Sequence, residues 1–123
     1  MRRLSNCLAA AAFALLCAGC APQIHHFQLV QLDLGMSPAA TAEKLKNPPL
    51  SVHTVTVEQV QYVFHRYTMN NGLHADLYLL AFEDGNRLRY WGYVDEFRRH
   101  PDKRINKAIG AALPQITAAQ KAR

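Results

Sequence analysis

Cysteine is all but missing from this chain: Cys7, Cys17 and Cys20 are the only three, and residues 21–123 hold none. Over that length no disulfide, thiolate metal ligand or thiol nucleophile is available. A small domain there must be held by its core alone, even in a compartment that permits disulfides. Long apolar runs are lacking as well. The uncharged run from Leu8 to Leu16 falls short of the roughly 20 apolar residues that cross a bilayer as a helix. Preceded by Arg2 and Arg3 and closed by small residues, it reads as the basic and apolar parts of a secretory signal peptide. Catalytic signatures are also absent. His53, His65, His74 and His100 are scattered over strand and turn positions, and no Ser sits in a recognisable nucleophile context. Asp76 and Asp84 fit solvated or turn roles. The pair His25-His26 has no Cys or carboxylate beside it, and zinc needs three or four converging ligands, so neither a metal nor a cofactor is expected. Apart from the Ala-rich N-terminus there is no repeat or low-complexity segment.

What the chain does contain begins with Leu15-Leu16-Cys17-Ala18-Gly19-Cys20. This stretch resembles the bacterial lipoprotein signal, in which small residues precede a cysteine that is lipidated and becomes the new N-terminus. Ala18, Gly19 and Cys20 fit that pattern, and Cys17 stands where Leu is usual. The resemblance implies a signal peptide over 1–19, a lipid on Cys20, and a lipidated tether over 20–31. The alternative is an ordinary cleaved signal ending near Ala21. Cleavage before Cys20 leaves 104 residues, enough for one small domain with a modest core. We expect that domain over 32–113 and a flexible tail over 114–123.

Charge is placed unevenly. Residues 21–96 carry five Lys/Arg against eight Asp/Glu, a net of −3, whereas residues 97–123 carry seven Lys/Arg against Asp102, a net of +6. A basic end can bind nucleic acid or an anionic surface. For an exported, tethered chain the partner expected is anionic lipid and not nucleic acid. Arg98, Arg99, Lys103, Arg104 and Lys107 are the candidate contacts, each worth roughly 1 kcal/mol near an anionic surface.

Taken in order, Ser37 is a good helix N-cap and Pro38 suits the first helical position. Ala39, Ala42 and Leu45 then fall on one face, and Asn47-Pro48-Pro49 ends the helix. Val60 to Met69 is aromatic and branched, Asn71-Gly72 is a hairpin signal, and Ala75 to Phe82 is apolar on both faces. Asp84-Gly85 marks the next turn and Arg87 to Tyr93 a third strand. The expected fold is α+β: one or two helices on a three-stranded antiparallel meander, with a basic C-terminal helix; a short preceding strand at Val52 to Val57 is left open. Side-chain alternation places Tyr62, Phe64, Leu77, Leu79, Ala81, Leu88 and Tyr90 on one sheet face, against the N-terminal helix. The other face takes Val63, His65, Tyr67, Tyr78, Leu80, Phe82, Arg87, Arg89, Trp91 and Tyr93. Two accounts of this second face stay open. Residues 94–113 can fold over it through the stripe Ile105, Ile109, Ala112 and Leu113. Alternatively, part of it stays open for a partner, with His65, Tyr67, Arg87, Arg89, Trp91 and Tyr93 as candidate binding residues, since Tyr, Trp and Arg dominate interface energies.

Leu34-Gly35-Met36-Ser37, followed by a short helix, a proline and an aromatic meander, resembles the opening of the SmpA/OmlA (BamE-like) lipoprotein family. Gly35, Met36, Ser37, Leu45 and Pro49 or Pro48 carry the likeness. Asn47 stands where the family has glycine, and Thr41-Ala42 where it has a branched apolar residue. The resemblance implies a periplasm-facing outer-membrane lipoprotein, a non-catalytic scaffold or accessory factor in β-barrel protein assembly, with outer-membrane assembly proteins as partners. Ala21 after the lipid-bearing cysteine agrees with outer-membrane sorting. Two other readings remain: a free-standing envelope lipoprotein that binds a ligand or protein through the aromatic face, and a structural protein held flat on the membrane by its basic helix.

Overall fold

The computed structural model describes residues 22–122. The expected signal peptide and the lipid-bearing Cys20 lie outside the described residues. Within them, Ser37 Oγ accepts from the Ala40 amide at 3.1 Å and starts α1, Pro38–Leu45, as the cap-plus-proline pattern requires. The helix ends on Lys46 in the left-handed conformation, φ 62°. Its buried positions are Thr41 and Leu45, while Ala39 is exposed. Burying Thr41 is tolerable because its hydroxyl donates to the Pro38 carbonyl at 2.8 Å.

The sheet has four antiparallel strands in sequence order, one more than the three-stranded meander expected: β1 Ser51–Val57, β2 Val60–Asn71, β3 His74–Glu83 and β4 Arg87–Gly92. The added strand is the short one left as possible. Val57 faces Val60 across a two-residue loop whose members, Glu58 and Gln59, both have positive φ, 51° and 69°. That geometry is the tight hairpin form usually built from Asn and Gly. The second loop is Gly72-Leu73, one residue later than expected, with Asn71 opposite His74. The shift preserves the face of every β2 and β3 residue. In β4 it does not hold: Ala81 faces Tyr90 but Phe82 faces Leu88, so Arg89 is a bulge residue. The bulge swaps Leu88 onto the second face, beside Phe82 and Leu80, away from Tyr90.

Each face has its own cover, and the covers are the reverse of those expected. Helix α2, Val94–Arg98, and helix α3, Lys103–Lys121, lie on the first face, where Phe97, Ile105, Ile109, Ala112 and Ile116 meet Tyr62, Phe64, Leu79 and Ala81. Phe97 is fully buried and meets Phe64 and Tyr90 edge-on, at centroid distances of 5.6 and 4.9 Å. Asn106 Nδ2 ties the two helices together by donating to the carbonyls of Phe97 and His100, at 2.8 and 2.9 Å.

The N-terminal segment covers the second face. Its 3-10 helix His26–Gln31 and α1 bring Ile24, Leu32 and Leu45 against Val63, Tyr67, Met69, Tyr78, Leu80 and Phe82. Residues 24–31, expected as a solvated tether, are therefore part of the domain. The Ile24 amide donates to Thr68 O at 2.8 Å, its carbonyl accepts from the Asn70 amide at 2.9 Å, and its side chain is fully buried. At the other end of this cover, Gly35, at φ +85°, donates to Leu88 O and Met36 O accepts from the Leu88 amide, at 2.7 and 2.8 Å. The Gly-Met-Ser stretch thus clasps the free edge of β4 before capping α1. The tail expected at 114–123 is also corrected: α3 runs through Pro114 to Lys121, and Ile116 is fully buried.

Candidate functional site

The aromatic face can be judged residue by residue. Tyr67 is 2% exposed and His65 7%, so neither is a surface contact, contrary to the expectation of an open binding face. Trp91 and Tyr93 are half-buried beside the same core. The Tyr67 hydroxyl donates to Asn47 O at 3.1 Å, and burial pushes its phenol up to about 12. Tyr78 is raised further, first by burial and then by the nearby Glu96 charge. Tyr93 stands edge-on to Tyr78 at 5.0 Å, and its hydroxyl meets Asn71 Nδ2 at 3.0 Å and His26 Nε2 at 3.2 Å. Apolar area and hydroxyls alike are taken up within the domain. What remains exposed of the six candidates is Arg87 and Arg89, which the bulge directs away from the aromatic cluster. Arg87 pairs with Asp84 at 3.1 Å, and Arg89 lies 3.6 Å from Glu83 and 3.7 Å from Asp102. They border a hollow of about 290 Å³ with Leu34, Gly35, Glu83 and Leu88. With both guanidiniums already beside acids, it is a poor anion cradle.

All five candidate lipid-contacting cations are exposed. Three of them lie near acids: Arg98 at 3.9 Å from Asp95, Arg104 at 3.8 Å from Asp102, and Lys107 at 3.1 Å from Glu58. Lys103 and Lys107 share the outward face of α3, at the end of the sheet where β1 turns into β2. Ile24 joins β2 near its opposite end, nine residues along from Val60 to Met69, or about 30 Å at strand spacing.

One polar cluster had no signal in the sequence. Ser51 Oγ lies 2.7 Å from His53 Nε2 and accepts from Arg66 Nε at 2.7 Å, with His53 and Arg66 both buried. Alternation on β1 and β2 puts the three on the α3 side of the sheet, since Ser51 faces Arg66 and His53 faces Phe64. A Ser beside a His suggests an activated hydroxyl, but burial first and the Arg66 charge second lower the His53 pKa. A ring that holds a proton weakly is a poor general base. No carboxylate bonds that ring among the described residues, so the cluster is a satisfied polar bridge between β1 and β2. Among the described residues no group of three His, Cys, Asp or Glu could hold a metal ion, and no helix is long and apolar enough to cross a membrane.

His65 is the other buried ring. It leans on Phe82 at 4.6 Å, and its Nδ1 has no hydrogen-bond partner among the described residues. Burial lowers its pKa below the ordinary value of 6.5. Both buried rings bind a proton more weakly folded than unfolded, so the unfolded chain takes up more protons on acidification. Stability is therefore full above about pH 6.5 and falls as pH drops from there through the lower folded-state values. Urea unfolding at pH 7.5 and 5.0 checks this. We expect a lower midpoint at pH 5.0, with a smaller difference in His65→Gln.

Two features remain that can meet another molecule. One is the outer edge of β1, beyond which no strand pairs among the described residues. The other is the end of the molecule where Ile24 meets β2. Compared with protein-family models, with curated proteins and with solved structures, the chain matches none.

Proposed function

We propose that this chain is a periplasm-facing lipoprotein of the outer membrane, held by a lipid on Cys20. It acts without catalysis, as a scaffold or accessory factor in the assembly of β-barrel proteins. The signal-like N-terminus, Ala21 after Cys20 and the Gly35-Met36-Ser37 opening support the family side of this reading. The structural observation that carries it is the contrast between the two edges of the sheet.

Exposed strand edges invite pairing with other chains, and proteins usually blunt them with charges, proline or a covering segment. Here the β4 edge is clasped by Gly35 and Met36. The β1 edge, Ser-Val-His-Thr-Val-Thr-Val, has no Lys, Arg, Asp, Glu or Pro, and the side chains of Val52, Thr54 and Thr56 are exposed. Such an edge can accept a strand from a β-rich partner by main-chain hydrogen bonding, with specificity from alternate side chains. Anchoring on the same membrane raises the partner's effective concentration, so a weak edge contact suffices.

Thr54→Lys puts a charge on that edge without touching either core. Its effect on stability is expected within about 0.5 kcal/mol, as for exposed substitutions generally. Recovery of a barrel protein with the lipoprotein from detergent-solubilised membranes is expected to fall at least about tenfold, which is a loss of roughly 1.4 kcal/mol. Unchanged recovery removes the β1 edge from the account.

A further inference from the structure

We propose that the end of the domain formed by Phe27, Val30 and the Gly72-Leu73 loop is a bilayer contact, so that the protein sits directly on lipid and does not hang from a tether. This rests on the lipid anchor proposed above and adds an orientation to it.

The first argument is the length of free chain. Ile24 is fixed to β2 by two backbone hydrogen bonds and a fully buried side chain. Cys20 is four residues earlier, and four residues reach at most about 14 Å even fully extended. A lipid on Cys20 therefore holds the membrane surface within that distance of the Ile24 attachment point. The domain cannot swing far from the bilayer, and whatever surrounds Ile24 stays within reach of the headgroups.

The second argument is what surrounds it. His26 Nε2 lies 2.7 Å from Asn71 Oδ1, which brings the start of the 3-10 helix to the β2–β3 loop. Leu73 at the tip of that loop is 100% exposed, Phe27 69% and Val30 86%. Phe27 and Val30 are three apart in a helix of three residues per turn, so they project from one side, roughly 6 Å apart. Single exposed apolar residues are unremarkable, but three of the five large ones exposed among the described residues belong to this end. Moreover, residues 22–31 and 70–75 contain no Lys, Arg, Asp or Glu. The exposed Asp76 carboxylate, 2.6 Å from Asn71 Nδ2, stands at the base of the loop, so the apolar side chains of Phe27, Val30 and Leu73 can enter the interfacial region, where such faces bury about 5–10 Å deep, while that ion stays in the headgroup water.

Lys107 does not serve this contact. Beside Glu58, it lies at the far end of β2, about 30 Å from Met69 at strand spacing. That places Lys107 on the side facing the periplasm.

The test uses the full lipoprotein, whose proposed mature form has no free thiol. Leu73→Cys and Val30→Cys are compared with Thr56→Cys, an exposed β1 position next to the far turn, each labelled with an environment-sensitive fluorophore. The proteins are placed in phosphatidylethanolamine–phosphatidylglycerol vesicles containing lipids spin-labelled near the headgroup, and acylation of Cys20 is checked by intact mass. We expect quenching several-fold stronger at positions 73 and 30 than at 56, with blue-shifted emission. Equal quenching at all three positions on acylated protein overturns this orientation and leaves the lipoprotein reading standing. A mass without lipid on Cys20 overturns both.

Discussion

A chain ended after Leu113 is expected to lose cooperative folding. The missing part holds the last two turns of α3, and with them Ile116, which is fully buried among the residues under the first sheet face. Deleting a buried Ile side chain alone costs about 2–5 kcal/mol. Native domains are stable by only about 5–15 kcal/mol in total. Far-UV circular dichroism during urea unfolding checks this, with Ile116→Ala as the milder companion, expected to lose about 2–5 kcal/mol while still folding. If the truncated chain melts within a few degrees of the whole one, the end of α3 does not cover the sheet.

The second large effect is expected at Phe97. Truncating a buried Phe to Ala costs about 3–5 kcal/mol, and here it also breaks edge-on contacts to Phe64 and Tyr90, each worth roughly 0.5–1.5 kcal/mol beyond burial. Phe97 is the main apolar anchor of the five-residue α2, a helix too short to persist unaided. Phe97→Ala should therefore free α2 as well, and amide exchange over residues 94–100 should rise more than elsewhere. Phe97→Leu keeps most of the volume and should cost under half as much. Equal loss for both would mean that ring geometry, and not filled space, holds α2 in place.

How far the sequence carried these conclusions varies by element. The start of α1 was legible because Ser37 and Pro38 act locally, through one side-chain cap and one fixed torsion. The faces of β2 and β3 were legible because alternation survives a shift of the hairpin loop by one residue. The β1–β2 turn was hidden because Glu58 and Gln59 take positive φ without Gly, Asn or Asp to signal it. The bulge at Arg89 has no local signature either, and a single extra residue was enough to send Leu88 to the other face. Residues 114–123 were expected as a flexible tail, yet α3 runs on through Pro114. The proline's missing N–H costs one bond to the Gly110 carbonyl, but Ile116 gains a fully buried site beyond it, so the helix continues. Which helix covers which face depends on long-range packing that periodicity cannot express. For the same reason the aromatic residues were recognised but their burial was not: Ile24 sits between Gln23 and His25-His26 with no periodic pattern to mark it, and only its pairing with Met69 shows that the N-terminal segment closes that face.

The candidate site changed accordingly, from an aromatic surface centred on Trp91 to an uncharged strand edge and an apolar end beside the anchor. The edge calls for a β-rich neighbour and the apolar end for a membrane surface. The most direct measurement is mild-detergent purification of the tagged protein from the membrane fraction of its cells, followed by identification of what accompanies it. The account predicts an integral outer-membrane barrel protein in stoichiometric amount. The protein recovered alone from the outer-membrane fraction contradicts the proposed assembly role.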